Sequence, residues 1–465
     1  MSVNILTGKS QEVNSLTNIF TQLSQQVFMI KKQLTLAILV LLMTASQLQG
    51  QTAKHVIFLT IDGFRPEFYL DSQWQMPNVR ALMKDGAYAK GVNSVFPSMT
   101  YPSHTTIVTG VQPAKHGIFY NNIFTPDGAA QQPYWQDSSI HAPTIWKAAK
   151  DKGMTVASLY WPVSANAPMD YNIPDIGGLG DGIREQYSLP KAFYAEVKKE
   201  VFGGVEKIDH GNNQNIGKIA AYIIKKCKPE LMTIHVFSVD GAAHASGREG
   251  TRVREAVADA DAAVGIIIDA LKAAGIWEST VFLIGGDHGF YDVKTTISPN
   301  VWLKEAGLNN DFRAGDWKAQ FNTVGGSAFL HLKDPSDKTT INKVKALLEA
   351  QPDSVKQYYR MISKEELAKG GYNPNVAFAL TAEQDASFSG ASTGDAVKAG
   401  KGGAHGHFPD TKKIQTGLVA HGPGIRKGAV IAEMDVRDMT PIMVKLLGIS
   451  FPKVEGKIPY GLLKR

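Results

Sequence analysis

The stretch His55–Ile61 reads HVIFLTI and runs directly into Asp62 and Gly63. A short apolar run rich in β-branched residues is typical of a strand that is buried on both faces of a parallel sheet. A carboxylate at the end of such a strand lies at the sheet edge where open α/β folds bind their ligands. This strand therefore decides the predicted fold class and supplies the first candidate functional residue.

Four other runs share this apolar character, and they are Thr155–Tyr160, Leu231–Val239, Thr280–Gly285 and Gly417–Ala420. Patterns typical of helices lie between the runs, at Pro77–Asp85, Thr144–Lys152 and Arg252–Ala274. The alternation predicts an α/β fold with a central, mostly parallel sheet and helices on both faces. We expect all five runs to form parallel strands of that sheet.

Residues 321–403 interrupt this alternation. They contain strand-like segments at Ser327–Leu332 and Val376–Leu380, a helical pattern near Lys338–Ala350 and a Gly/Ser-rich stretch at Ser387–Gly403. We predict one catalytic domain over residues 51–465, with residues 321–403 as a small inserted subregion beside the candidate site.

The N-terminal residues carry a pattern typical of export. Lys31 and Lys32 precede the apolar run Leu34–Met43, and small and polar residues follow it. This order predicts a secretory signal peptide within residues 1–50, cleaved between Ala45 and Gln51. We expect a periplasmic or extracellular protein with no stable membrane span in its mature form; an uncleaved membrane anchor is the alternative.

Composition narrows the function classes further. The formal net charge is +6, and 43% of the residues are hydrophobic, as in ordinary globular proteins. For a chain of 465 residues, that net charge is too small to indicate a nucleic-acid scaffold as partner. The single cysteine, Cys227, can form no intramolecular disulfide and is interpreted as a structural or surface thiol rather than a catalytic one.

Acidic residues and histidines follow three of the predicted strands. Asp62 follows the first strand, Asp240 follows the third with His244 four residues later, and Asp287 and His288 follow the fourth. Carboxylates and imidazoles that converge at one sheet edge are typical of a metal site; they suit zinc, with manganese or iron as alternatives. Each acid taken alone could instead be a turn residue or a helix cap.

A second candidate element is Val95–Gly110, which reads VFPSMTYPSHTTIVTG. Pro102 marks the first turn of a predicted helix that ends at Gly110, so Thr100 lies near the helix N-cap. The Thr100 hydroxyl would then face the free amides of the helix N-terminus, which favour an anion such as phosphate. A purely structural cap is the alternative interpretation of Thr100.

Taken together, these motifs resemble the nucleotide pyrophosphatase/phosphodiesterase family of the alkaline phosphatase superfamily, over nearly all of residues 54–450. The motifs that carry the resemblance are FLTIDGFRPEF, FPSMTYPSHTTIVTG, QPAKHGIFYNN, SVDGAAHASG, LIGGDHGF and GGAHGHFPDTKKIQTGLVAHGPGI. The resemblance implies an alkaline-phosphatase-like α/β fold.

The resemblance also implies two zinc ions. The ligands implied for one ion are Asp240, His244 and His405. The ligands implied for the other are Asp62, Asp287, His288 and the Thr100 oxygen. His405 is preferred over His407 because its register to Gly422-Pro423 matches the last family motif; a register shifted by two residues would select His407, which stands where the family often has an aromatic residue.

The activity implied is hydrolysis of phosphodiester or pyrophosphate bonds in a small nucleotide-like substrate. Thr100 would be the nucleophile of a covalent phospho-threonine intermediate, and Asn121 would bind a non-bridging phosphate oxygen. Tyr101 and Trp161 would flank an aromatic or nucleobase group by stacking, unless they are core residues.

Two alternatives remain at this point. A phosphonate or phosphomonoester hydrolase would use the same fold and metals, because fold does not determine function. A non-catalytic binding protein would have to lack a ligand or the nucleophile, yet all the expected residues are present. A sulfatase is disfavoured because Cys227 lies outside every motif.

Overall fold

The computed structural model describes residues 23–24, 26–35, 53–126 and 131–464. Contacts divide the chain into one unit of residues 1–51 with Arg465 and a second unit of residues 52–464. In the first unit, residues 23–24 and 26–35 are helical and exposed. The predicted apolar run of the signal peptide lies almost wholly outside the described residues, as does its cleavage region, so export stays a prediction. Among the helices that are described, none combines the length and apolar character needed to cross a bilayer.

The second unit alternates strands and helices along most of its length. Its strands are β1 (His55–Ile61), β2 (Ala87–Ala89), β3 (Val92–Asn93), β4 (Val156–Leu159), β5 (Tyr171–Ile173), β6 (Leu231–Val236), β7 (Thr280–Gly285), β8 (Tyr291–Asp292), β9 (Thr295–Ile297), β10 (Asn309–Asp311), β11 (Asp316–Trp317), β12 (Ala319–Thr323), β13 (Ser327–Leu332), β14 (Tyr359–Ile362), β15 (Ala379–Ala382), β16 (Ala386–Phe388), β17 (Val397–Ala399), β18 (Gly403–Ala404), β19 (Leu418–His421), β20 (Ala429–Ile431) and β21 (Met434–Asp435).

The helices lie between and around these strands. They are α1 (Glu67–Leu70), α2 (Pro77–Asp85), α3 (Thr100–Thr109), α4 (Pro113–His116), α5 (Ile145–Asp151), α6 (Asp181–Tyr187), α7 (Phe193–Phe202), α8 (Asn213–Cys227), α9 (Ser238–Ser246), α10 (Thr251–Ala273), α11 (Pro299–Glu305), α12 (Lys338–Glu349), α13 (Asp353–Lys356), α14 (Lys364–Gly370) and α15 (Met439–Leu447).

The central sheet has eight strands in the order β20-β2-β19-β7-β1-β6-β4-β5. Strand β1 lies inside the sheet and pairs in parallel with both β6 and β7, with Val56 opposite Leu231 and His55 opposite Thr280. Strands β4 and β5 continue the parallel arrangement beyond β6. The predicted mostly parallel α/β fold is therefore confirmed, and the carboxyl ends of these strands meet at one edge.

The side chains of β1 show why its sequence is apolar throughout. Ile57, Leu59 and Ile61 belong to a buried cluster with residues of α8 and α10, whereas Val56 and Phe58 belong to another with residues of α5 and α15. Alternate residues of a strand point to opposite faces, so helices cover both faces of the sheet.

Two details of the strand prediction are wrong. The run Gly417–Ala420 forms β19, which pairs antiparallel with both β7 and β2. A buried apolar run carries no information on strand direction, because direction depends on the connections. In addition, the run Leu231–Val239 is strand only to Val236, after which α9 begins at Ser238. Asp240 therefore lies in the first turn of a helix rather than directly after a strand.

A second, smaller sheet contains the strands β12-β13-β15-β14, which are paired antiparallel. Its buried side chains include Phe321, Leu330 and Leu380, and α12 packs on them through Val344 and Leu348. These elements lie largely within residues 321–403, although β12 already begins at Ala319. The boundary predicted for an inserted subregion remains a prediction.

Candidate metal centre and its surroundings

Asp240, His244 and His405 form one group of possible metal ligands, with one donor atom from each lying within 4.8 Å of the others. Asp240 and His244 face each other across one turn of α9, and His244 Nε2 lies 3.3 Å from Asp240 Oδ1. His405 follows β18 and brings its Nε2 to 3.5 Å from the same oxygen. A helix and a distant loop therefore meet at a single carboxylate oxygen.

Asp62, Asp287 and His288 form a second such group, again with donor atoms within 4.8 Å of one another. Asp62 follows β1 directly, and Asp287 and His288 follow the neighbouring strand β7. His288 Nε2 lies 3.2 Å from Asp62 Oδ1 and 3.2 Å from Asp287 Oδ2. All three side chains are buried, so the sheet edge holds two carboxylates and an imidazole away from solvent.

The two groups are adjacent. The rings of His288 and His405, one from each group, stack with centroids 3.7 Å apart and planes 9° apart. Phe290 packs edge-on against both rings and against His244, at centroid distances of 5.7, 5.3 and 5.0 Å respectively. The six residues that the family resemblance assigns to two separate ions therefore lie together in one candidate centre.

In each of these three histidines, Nδ1 lies within hydrogen-bond distance of a backbone carbonyl oxygen. The pairs are His244 with Gly403 at 3.0 Å, His288 with Gly289 at 3.1 Å and His405 with Ser98 at 3.0 Å. A proton on Nδ1 donates to that carbonyl and leaves Nε2 as the free lone pair, which is how metal-binding histidines are commonly oriented.

Several buried polar atoms of the centre test whether a cation fits there. Asp62 Oδ1, Asp240 Oδ1, Asp287 Oδ2 and His288 Nε2 have no hydrogen-bond partner within the described part of the chain. Such atoms are costly to bury unless they are hydrogen-bonded or coordinate a metal. They are also the atoms that converge within each group, so the donor set fits two cations with oxygen and nitrogen ligands.

The electrostatics of the second group reflect crowding of like charges. Burial and the neighbouring Asp62 carboxylate raise the pKa of Asp287 to about 7. Burial alone would lower the pKa of His288, but Asp287 and Asp62 outweigh it and raise that pKa to about 9. Burial would raise the pKa of Asp62, whereas the neighbouring His235 and His288 side chains hold that pKa well below its usual range. The group therefore favours positive charge between its carboxylates.

His235 is a neighbour of this centre that the sequence analysis missed. Its Nε2 lies 3.1 Å from Asp62 Oδ2, and its Nδ1 lies 3.2 Å from the Tyr160 carbonyl oxygen. His235 therefore occupies one Asp62 oxygen and leaves Oδ1 facing His288. The available signal was a polar residue within the otherwise buried strand β6, opposite Thr60 of β1.

The Thr100 segment runs beside both ligand groups. The Ser98 carbonyl oxygen contacts His405, and His104 Nδ1 contacts the Thr100 carbonyl oxygen at 2.8 Å while lying 3.7 Å from Asp287 Oδ2. Thr100 is buried and is the first residue of α3, and the N-cap position is Met99, with no side-chain capping bond. The structure thus leaves the Thr100 hydroxyl without a capping role, so the cap alternative for this residue is wrong.

Asn121 lies at the start of the same helix. Its Oδ1 accepts a hydrogen bond from the Tyr101 backbone N–H at 3.0 Å. With the oxygen occupied, the Nδ2 amide hydrogens are the group left to donate to a ligand. The Tyr101 side chain is 5% exposed, and its hydroxyl donates to Asp175 Oδ2 at 2.9 Å.

The structure does not bring Trp161 or His407 to the centre. Trp161 is fully buried, packs against Phe58 and Trp146 in the core and cannot stack on a ligand, so its predicted substrate contact is wrong. His407 is buried and stacks on Tyr291 with centroids 4.1 Å apart. An aromatic or imidazole side chain near a motif looks the same in sequence whether it faces the core or the site.

The fold and the site together define an α/β protein with a two-part candidate metal centre at the carboxyl edge of its parallel strands. The profile of the type I phosphodiesterase / nucleotide pyrophosphatase family matches residues 56–408. The chain therefore belongs to the type I phosphodiesterase / nucleotide pyrophosphatase family.

Curated relatives and a solved structure are consistent with this family. Venom phosphodiesterase 2 of Crotalus adamanteus is 24% identical over 418 residues, which cover 85% of this chain and 45% of the relative. Ectonucleotide pyrophosphatase/phosphodiesterase family member 3 of Rattus norvegicus is 23% identical, with 86% of this chain and 43% of the relative covered. The chain thus spans less than half the length of these relatives. Murine ectonucleotide pyrophosphatase/phosphodiesterase 5 shares the fold, with a TM-score of 0.67, 20% identity, 88% of this chain and 100% of that chain.

Proposed function

We propose that this protein hydrolyses phosphodiester or pyrophosphate bonds with two bound zinc ions and a covalent phospho-threonine intermediate on Thr100. The observation that carries the proposal is the pair of adjacent Asp/His groups with unpartnered buried atoms. Both groups contact the segment that carries Thr100, through the Ser98 carbonyl oxygen and the His104 ring. Family membership supports the same chemistry.

Zinc is the cation that the donor set supports best, because each group combines imidazole nitrogen with carboxylate oxygen. Asp240, His244 and His405 would hold one ion. Asp62, Asp287 and His288 would hold the other. When bound, the two ions would supply Lewis acidity, which lowers the pKa of hydroxyl and water oxygens and offsets charge on the phosphoryl group. Manganese and iron are the other cations with suitable ligand preferences.

Thr100 would supply the nucleophile. Its ionised Oγ1 attacks phosphorus in line, a Thr100–phosphorus bond forms, and the bond to the leaving oxygen breaks with the electron pair going to that oxygen. A water oxygen then attacks the same phosphorus from the side the leaving group has vacated, and Thr100 Oγ1 departs and regains a proton. His104 lies one turn further along α3 and contacts the Thr100 carbonyl oxygen through Nδ1. Its ring is neutral, because burial and neighbouring His235 keep its pKa well below the ordinary value.

Asn121 and the N-terminus of α3 would bind the non-bridging oxygens of the phosphoryl group. The first turn of a helix offers free backbone N–H groups and a positive dipole end, which favour an anion. Asn121 adds neutral Nδ2–H donors, oriented by the bond between its Oδ1 and the Tyr101 N–H. Donors fixed before the reaction stabilise the developing charge without reorganising.

The substrate class that we propose is a small diester or pyrophosphate, including nucleotide-like compounds, rather than a monoester. A monoester carries one more negative charge, which would call for an arginine fork or a third cation. The Val95–Gly110 segment contains no arginine or lysine. The relatives named as ectonucleotide pyrophosphatases and venom phosphodiesterases support this class, and they also support the export that the N-terminal pattern predicts.

A rate panel on the zinc-loaded protein tests this proposal. Bis-(4-nitrophenyl) phosphate and a nucleotide 4-nitrophenyl ester should be cleaved faster than 4-nitrophenyl phosphate or an aryl phosphonate at equal concentration. Thr100→Ala serves as the matched background for contaminating activity. A higher rate on the monoester or the phosphonate would move the protein to that class of hydrolase, and no turnover of any ester by folded, metal-loaded protein would favour a binding protein.

A further inference from the structure

Tyr120 directly precedes Asn121 and is buried against residues of the small sheet. It is 3% exposed and belongs to a cluster of buried residues with Phe329 of β13 and Ile362 of β14. Its ring centroid lies 5.2 Å from that of Phe329. The residue next to the proposed phosphate-binding asparagine is therefore packed into the small sheet.

The Tyr120 hydroxyl is held from two sides. Asn373 Nδ2 donates to it at 2.9 Å, and the hydroxyl lies 3.1 Å from His331 Nε2. Burial lowers the pKa of His331 to about 3, so the imidazole is neutral near pH 7. Its Nε2 can then accept a hydrogen bond from the Tyr120 hydroxyl. Asn373, Tyr120 and His331 thus form a donor chain in which each buried group has a partner.

Other contacts attach further residues of the same loop to the small sheet and to the separate two-stranded sheet β10-β11. Phe124 stacks on the His331 ring, with centroids 3.7 Å apart and planes 17° apart. Trp317 Nε1 donates to the Pro126 carbonyl oxygen at 3.0 Å. The loop that carries Asn121 therefore rests on residues of β11 and β13 as well as on Asn373.

Asn121 itself is tied to the central fold at two atoms. Its carbonyl oxygen accepts from the Tyr134 N–H at 2.9 Å, and its Oδ1 accepts from the Tyr101 N–H at 3.0 Å. Neighbouring Cα atoms are about 3.8 Å apart, so anchoring the Tyr120 side chain restricts where the Asn121 backbone can lie. The contacts of Tyr120 with the small sheet and the contacts of Asn121 with Tyr101 and Tyr134 together restrain the Asn121 side-chain amide.

We infer that Tyr120, His331 and Asn373 are positioning residues, through which the small sheet holds Asn121 in place to bind a phosphoryl oxygen. This inference rests on the proposed function, because it needs Asn121 to contact the substrate. Displacing a positioned group by about 1 Å can cost up to about 100-fold in rate. Tyr120, His331 and Asn373 would therefore affect turnover without contacting the metals or the nucleophile.

A double-mutant cycle tests the inference. Tyr120→Phe keeps the ring and removes only the hydroxyl, and it should lower kcat on bis-(4-nitrophenyl) phosphate by about tenfold. In an Asn121→Ala background the same change should lower kcat less than about twofold, because the group that it positions is already gone. Zinc content should be unchanged in all variants, and calorimetry should show weaker binding of inorganic phosphate to Tyr120→Phe than to the parent.

Tyr372→Phe is the matched control, since Tyr372 lies in the same buried cluster and contacts Phe96 and Phe408. It should leave kcat and phosphate binding within about twofold of the parent. If Tyr120→Phe does not fold, Asn373→Ala removes the donor on one side of the hydroxyl and takes its place in the cycle.

Equal losses in both backgrounds would overturn the inference and leave the proposed function intact, provided that Asn121→Ala alone is impaired. An Asn121→Ala variant with parental kcat would overturn the assignment of Asn121, and with it this inference. Loss of zinc from Tyr120→Phe would also contradict a positioning role that acts through Asn121.

Discussion

His405 Nε2 lies 3.5 Å from Asp240 Oδ1, and the Ser98 carbonyl oxygen, just before the Thr100 helix, holds the other nitrogen of the same ring. One histidine thereby connects the last motif of the chain with α9 and with the segment that carries the proposed nucleophile. His407, two residues further on, stacks on Tyr291 instead.

The first prediction concerns metal occupancy. The purified protein should bind about two zinc ions per chain, and His405→Ala should bind about one, because the Asp240 group would keep only two of its three side-chain donors. His407→Ala should keep both ions, which makes it the matched control. Elemental analysis after gel filtration measures the zinc content, and two ions retained by His405→Ala would exclude His405 as a ligand.

Dialysis of the parent protein against a chelator should abolish activity, and re-addition of zinc should restore activity.

The second prediction concerns Thr100. Thr100→Ala should lower kcat on the preferred diester by about 10³-fold or more, because it removes the nucleophile. Thr100→Ser keeps a hydroxyl at the same position and should retain much more of the rate. Mass spectrometry of acid-quenched protein should detect phosphoryl label on the parent and not on the alanine variant. Near-parental turnover by Thr100→Ala would show that another group attacks phosphorus.

The third prediction separates the two aromatic residues that the sequence placed near the substrate. Tyr101→Ala should raise KM for a nucleotide ester more than for bis-(4-nitrophenyl) phosphate, whereas Tyr101→Phe keeps the ring and loses only the bond to Asp175. Trp161→Phe should leave KM for both esters unchanged and lower the melting temperature, since it opens space in the core. A selective KM effect of Trp161→Phe would contradict its burial.

The fourth prediction concerns acid stability. His116 is fully buried; its Nδ1 accepts from the Ile118 N–H at 3.1 Å, and its Nε2 lies 3.0 Å from Thr106 Oγ1. Burial, and secondarily His141, lowers the pKa of His116 to about 3, against an ordinary value of 6.5. Between these values the unfolded chain binds a proton that the folded protein does not, so the free energy of unfolding falls as pH falls from 6.5 toward 3.

Each such proton contributes about 1.4 kcal/mol per pH unit. In His116→Gln the slope of unfolding free energy against pH, measured by urea denaturation between pH 6 and pH 4, should be smaller than in the parent by about this amount. Loss of bound metal affects both proteins alike and cancels in the comparison. Identical slopes would mean that His116 is already protonated in the folded protein.

The sequence could predict the fold class and most of the centre because of one regularity. Parallel strands end at a common edge, so a polar residue after each apolar run, such as Asp62 after β1 and Asp287 after β7, is brought to the same place without knowledge of the remaining fold. The His244 position follows similarly from Asp240, because residues four apart on a helix share a face. These relationships are local and are therefore readable from spacing.

Contacts between distant segments were decided only by the tertiary structure. The direction of β19 and the burial of Trp161 both depend on how connections and loops pack, and a side chain's type does not reveal which way it faces. His235 beside Asp62, and Tyr120 between His331 and Asn373, arise from residues far apart in the chain. Their partners are set by the summed packing of the whole domain, which no local pattern encodes.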